Sequence, residues 1–115
     1  MQLMAETTPY QQLRQLDFTI KRLSISNGPD ITTAAWRSFE HLKRDMRSAL
    51  DRMHDYEASA LEEDLRMQAK TLPAAIKALE KLRGSLLKAS EYDLVSAIQI
   101  AQISAELDQL IDRLR

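Results

Sequence analysis

The chain contains no cysteine, which excludes disulfide bonds and every site that needs a thiolate. It has only two glycines and three prolines in 115 residues, too few for the frequent turns of sandwich and barrel folds. It also lacks an apolar run of the roughly 18 residues that a membrane-spanning helix needs, and a signal peptide is not evident at its N-terminus. These absences predict a cytoplasmic protein that does not contact a membrane.

The residues that are abundant favour helices. Leu, Ala, Lys, Arg, Glu and Gln dominate the sequence, and all six are strong helix formers. Hydrophobic residues make up 44% of the chain, enough to fill the core of one domain over residues 1–115. The formal net charge of −1 gives no overall attraction to nucleic acid or to anionic lipid.

Two apolar stripes with alternating spacings of three and four residues are the clearest pattern in the sequence. This spacing is typical of helices that pack lengthwise against other helices. The first stripe comprises Phe39, Leu42, Met46, Ala49, Met53, Tyr56 and Ala60, and the second comprises Ile100, Ile103, Leu107, Leu110 and Leu114. We therefore predict an all-α fold, with a short N-terminal helix followed by a long, coiled-coil-like antiparallel helical hairpin.

Breaks in the helical pattern give the predicted boundaries. Residues 1–8 are expected to be frayed, and a cluster of Ser, Asn, Gly and Pro predicts a loop over residues 24–31. Pro73 predicts a turn or kink near residues 72–73, because proline disfavours helical backbone at the preceding residue. A turn there would place the acids of residues 57–64 opposite the bases of residues 81–88. A further break is expected near residues 89–91.

The C-terminal segment carries more apolar surface than a two-helix hairpin can bury, which predicts a partner. A second copy would cover this surface by symmetry and form a helical bundle. The alternative is a compact monomeric bundle of three or four helices. We therefore expect a non-catalytic protein–protein interaction module (an adaptor, a regulatory subunit or a secretion-type chaperone) that binds itself and another protein. The predicted interface residues are Leu94, Ile98, Ile103, Leu107, Leu110, Trp36 and Phe39.

A basic stretch from Arg37 to Arg52 supports an alternative function, association with nucleic acid. The candidate phosphate-binding residues are Arg37, Lys43, Arg44 and Arg47. Acidic residues are interleaved at helical spacing and would partly neutralise these bases through pairs four residues apart. The sequence leaves this alternative open.

Motifs for catalysis or metal binding are sparse, and we expect neither a cofactor nor a metal. Asp51 and His54 form one Asp-x-x-His pair, whereas di-metal bundles repeat such a motif and add further carboxylates. Arg47, Ser48 and His54 resemble the Arg-x(4–6)-His pattern of the HEPN ribonucleases, which are small helical dimers. That resemblance implies RNA cleavage at Arg47 and His54, and it is a remote alternative to a non-catalytic function.

Overall fold

Four helices make up the fold in the computed structural model, which describes residues 7–22, 33–91 and 97–115. They are α1 (Pro9–Lys21), α2 (Thr33–Leu61), α3 (Leu65–Ser90) and α4 (Ala97–Leu114). The described part of the chain contains no strand, so the all-α prediction is confirmed. No helix within these ranges is both long enough and apolar enough to cross a membrane. The loop predicted at 24–31 lies outside the described residues.

The first helix begins with a complete capping box. The Thr8 hydroxyl accepts a hydrogen bond from the Gln11 backbone N–H (3.2 Å), and the Gln11 side chain accepts one from the Thr8 backbone N–H (3.0 Å). Glu57 of α2 accepts a further bond from the Tyr10 backbone N–H at 2.6 Å. Of the residues 1–8 that the sequence predicts to be frayed, Thr8 is held by these bonds, because its side chain satisfies an otherwise unpaired backbone N–H at the helix start. Residues 1–6 lie outside the described part of the chain.

The turn between α2 and α3 lies at residues 62–64 and not at 72–73. Glu63 has a left-handed backbone (φ 56°), and the backbone N–H groups of Glu63 and Asp64 donate to Ala60 O and Ser59 O. These two bonds form a Schellman motif, which closes the end of a helix. Asp64 then caps α3 by accepting a bond from the Met67 N–H at 3.0 Å. This local bonding ends one helix and begins the next without glycine or proline.

Pro73 lies inside α3, so the predicted turn or kink near residues 72–73 is wrong as a helix boundary. Its ring is exposed, and the helix continues on both sides of it. The acid–base pairs expected from a turn at 72–73 are absent from the described residues. Arg83, for example, binds Asp108 of α4 at 2.9 Å, and this hydrogen bond raises the pKa of the Arg83 guanidinium above its ordinary value. Further along the chain, α3 ends at Ser90, where the sequence predicts a break.

One core joins all four helices. The most extensive contact is between α2 and α3. Helix α4 packs on α3 and on α1, and α1 also packs on α2. The apolar members of this core are Leu13, Leu16, Ile20, Ala35, Phe39, Leu42, Met46, Ala49, Met53, Ala75, Leu79, Leu82, Leu86, Ala89, Ile100, Ile103, Leu107, Leu110, Ile111 and Leu114. The C-terminal stripe is therefore buried by the chain's own helices, because α4 packs on both α3 and α1.

Candidate functional site

A groove of about 730 Å³ runs between the first half of α2 and the second half of α3. Its lining comes from those two helices, at Ala34, Arg37, Ser38, His41, Arg44, Asp45, Lys81, Gly84, Ser85 and Lys88. None of these ten residues is a large apolar residue or a Phe, Tyr or Trp, and His41 contributes the one aromatic ring among them. The groove is therefore lined by small, polar and charged residues.

Four cations line the groove in two rows, Arg37 with Arg44 on α2 and Lys81 with Lys88 on α3. The members of each row are seven residues apart, which is two helical turns or about 10.5 Å along the axis. All four side chains are exposed, and within the described residues none of them forms an ion pair. The positive charge of the groove is thus available to a ligand.

The floor of the groove contains a buried carboxylate. Asp45 is only 8% exposed, and the Ser85 hydroxyl donates a hydrogen bond to it across the two helices. Among the described residues that line the groove, Asp45 is the one acid, against four cations. The hydrogen bond from Ser85 partly compensates for the burial of this carboxylate. The four exposed cations are the charged groups of the groove that solvent can reach.

Gly84 also lines the groove, on α3 between Lys81 and Lys88 in sequence. A Cβ built at this position meets no other atom within 4 Å. Glycine in a helix interior costs about 1 kcal/mol relative to alanine. Because packing does not demand the missing side chain, Gly84 leaves the groove open at a cost in helix stability.

Two further lysines extend the row on α3 beyond the groove. Lys70 and Lys77 are exposed and precede Lys81 and Lys88 at spacings of seven, four and seven residues. Such spacings place all four on one face of the helix. The first and last of these lysines are 18 positions apart, which corresponds to about 27 Å along the helix axis. A continuous basic face therefore lies along α3.

The structure brings together only part of the nucleic-acid site predicted from the sequence. Arg37 and Arg44 line the groove, whereas Lys43 and Arg47 lie outside it. The Lys43 ammonium pairs with Glu40 at 3.5 Å and lies over the Trp36 ring, 5.8 Å from its centroid. Sequence reasoning missed the contribution of α3, although the regular spacing of its lysines was a usable signal.

The apolar interface predicted from the sequence is largely unavailable in this fold. Phe39, Ile103, Leu107 and Leu110 are buried in the chain's own core, so their side chains are not exposed to a partner in this fold. Trp36 and Ile98 are exposed, and Leu94 lies outside the described residues.

Other exposed apolar side chains cluster at the end of the molecule where α2 meets α3. Leu61 is 86% exposed and Leu65 is 78% exposed, on either side of the acidic turn at residues 62–64. Met67 follows one half-turn later and is also exposed. This end is acidic and apolar, in contrast to the basic groove.

The residues considered for catalysis do not form a compact cluster. The His54 ring packs edge-on against Tyr10 of α1, with the ring centroids 5.7 Å apart. Arg47 lies two turns from His54 along α2, about 10.5 Å along the axis. Among the described residues, no group of three His, Cys, Asp or Glu side chains could hold a metal ion.

Comparison with known proteins adds no further assignment, since no protein family, curated protein or solved structure matches this chain.

Proposed function

We propose that this chain is a non-catalytic binding module whose basic groove binds the phosphate backbone of nucleic acid. The observation that carries the proposal is the set of four cations around the groove, none of which is neutralised by an ion pair with the described residues. Lysine and arginine that neutralise phosphates supply most of the affinity of non-specific nucleic-acid binding.

The lining of the groove favours nucleic acid over a partner protein as the ligand. Protein interfaces depend on a few buried aromatic or large apolar anchors, and their centres are depleted of charge. In the described part of the chain, the groove lining has the opposite composition, with four cations and no large apolar side chain. Phosphate groups need only the cations and their spacing.

The proposal also relies on the relative direction of α2 and α3, which we infer to be an antiparallel hairpin. Ser59 bonds to Thr71 at 3.0 Å, and Ser85 bonds to Asp45. The midpoint of both residue pairs falls at residue 65, as expected when two helices run in opposite directions from one short turn. This arrangement supports the pairing of the two rows of cations across the groove.

Charge reversal tests the proposed function. The groove variant is Arg44→Glu with Lys81→Glu, and the control is Arg47→Glu with Arg66→Glu, which changes two exposed bases outside the groove by the same net charge. Binding to a fluorescent DNA duplex would be followed by anisotropy at several salt concentrations. Four phosphate contacts predict a slope of about −3.6 in log K against log salt for the unmodified chain.

The groove variant is expected to lose at least about tenfold in affinity and to flatten the salt slope by about 2, because two contacts are removed. The control is expected to retain the slope. Equal losses in both variants would contradict the proposal, since they would show that only total charge matters. An unmodified chain that does not bind would also overturn it.

A protein–protein interaction module, self-association included, is the second candidate. It is favoured by the exposure of Leu61 and Leu65 at the acidic end, since clustered exposed leucines are costly unless covered. Static light scattering over a dilution series would measure the mass of the unmodified chain and of a Leu61→Lys, Leu65→Lys variant. A dimer that dissociates in the variant supports this function, and a monomer in both cases argues against self-association.

A further inference from the structure

We infer that a bound phosphate backbone leaves the groove along α3, where Lys70 and Lys77 are two further phosphate-binding residues. The inference rests on the proposed function, because it takes the occupant of the groove to be nucleic acid. It adds to that function the direction in which the backbone runs and the extent of the protein surface that it contacts.

The four lysines of α3 lie in a nearly straight line. Their spacings of seven, four and seven residues keep them within about 40° of one another around the helix axis, since each residue advances by about 100°. All four are exposed, and in the part of the chain that the structure describes none of them forms an ion pair. Lys81 and Lys88 line the groove. Lys77 and Lys70 therefore continue the same line for about 16.5 Å beyond Lys81.

The charge of α3 is almost entirely positive along this row. Glu80 is the one acid in α3, and its carboxylate pairs with Arg115 of α4. Arg66, one turn before Lys70, adjoins the acidic turn at residues 62–64 and belongs to that end of the molecule rather than to the row. A polyanion that follows the lysines of α3 therefore meets no unpaired carboxylate on this helix.

The charges on α2 prevent the backbone from following both helices. Arg37 and Arg44 line the groove on α2, and the same face of this helix continues with Asp51 and Asp55. Both acids are exposed, seven and eleven residues after Arg44. Their carboxylates repel phosphate, whereas the lysines of α3 attract it. Towards the turn at residues 62–64, the groove therefore continues as a basic surface on α3 only.

An anionic membrane would also attract a row of lysines, but the fold favours nucleic acid. Helices that lie on a membrane bury an apolar face among the lipids. The apolar stripe of α3, which includes Leu79, Leu82 and Leu86, is buried in the protein core and is not available for this contact. Phosphate contacts along a nucleic-acid backbone need only the exposed cations.

The test removes the two lysines beyond the groove. The variant is Lys70→Gln with Lys77→Gln, and the matched control is Arg14→Gln with Arg47→Gln, which removes the same net charge from exposed positions outside the row and the groove. Glutamine is a good helix former, and circular dichroism would confirm that both variants are folded. Binding to a fluorescent DNA duplex would be measured by anisotropy at several salt concentrations.

The expected result is a change in the salt dependence of binding. Four contacts in the groove alone predict a slope of about −3.6 in log K against log salt, and two further contacts make it about −5.4 for the unmodified chain. Lys70→Gln with Lys77→Gln should return the slope to about −3.6 and lose about tenfold in affinity, whereas the control should keep the slope of the unmodified chain.

A slope near −3.6 in the unmodified chain that the lysine variant leaves unchanged would overturn the inference. Equal flattening in the control would also overturn it, because only total charge would then matter. In either case the proposed function stands if reversal of Arg44 and Lys81 flattens the slope more than reversal of Arg47 and Arg66, so the two failures are distinguishable. Binding of the unmodified chain to phosphatidylserine vesicles but not to the duplex would overturn both.

Discussion

Asp45 is the residue whose role is least visible in the sequence. It stands among bases in the basic stretch, and its spacing suggests a solvated acid that neutralises them. In the fold it is buried between α2 and α3 and accepts a hydrogen bond from Ser85, 40 residues away in sequence. No pattern within one helix predicts such a bond, because it depends on which residues the turn brings together.

Removing the Ser85 hydroxyl should destabilise the fold. Ser85→Ala leaves the Asp45 carboxylate without this donor, and a lost hydrogen bond to a buried charged group costs about 1.5–3 kcal/mol. Urea unfolding would measure the change in the free energy of unfolding. Ser48→Ala, an exposed serine on α2, is the control and should change stability by less than about 0.5 kcal/mol. An unchanged unfolding midpoint in Ser85→Ala would show that the bond contributes nothing.

The helical elements illustrate what periodicity can and cannot predict. Both apolar stripes that the sequence shows are largely buried, from Phe39 to Met53 in α2 and from Ile100 to Leu114 in α4. The position of the turn could not be predicted in the same way. Residues 62–64 are acidic and include no glycine or proline, whereas Pro73 is a residue type that usually indicates the end of a helix. Backbone capping bonds override both signals, and they are visible only once the chain is folded.

Because Pro73 lies in the interior of α3 and not at its beginning, we expect it to destabilise this helix. A proline in a helix interior removes one backbone hydrogen bond and clashes with the preceding turn, at a cost of about 3 kcal/mol. Allowing for the greater freedom of alanine in the unfolded chain, Pro73→Ala should raise the free energy of unfolding by about 2 kcal/mol. Thermal unfolding would measure the gain.

Pro9 provides the matched control for this substitution. It occupies the first turn of α1, where proline needs no backbone partner. Pro9→Ala should therefore lower stability slightly, by about 0.4–1 kcal/mol, through the unfolded chain alone. A loss of stability in Pro73→Ala would contradict the continuous α3 and would support a turn at residues 72–73.

Across the whole molecule, positive and negative charges lie on different parts of the surface, although the formal net charge is only −1. One part of the α2–α3 surface carries the basic groove, and the end where these helices meet carries Glu62, Glu63 and Asp64. A turn at residues 72–73 would have placed Asp64 opposite Lys81 and neutralised it. The turn at 62–64 instead places Arg44 and Lys81 on the same groove. The site was only half predictable from the sequence, because its second row of cations depends on the position of that turn.

The most direct test of nucleic-acid binding at this groove is a map of the bound surface on the unmodified chain. Backbone amide chemical shifts of ¹⁵N-labelled protein would be followed by NMR during titration with a DNA duplex. We predict that the largest changes fall at residues 37–45 of α2 and 81–88 of α3, which line the groove. Changes centred on residues 57–67, or no change at saturating duplex, would contradict the account.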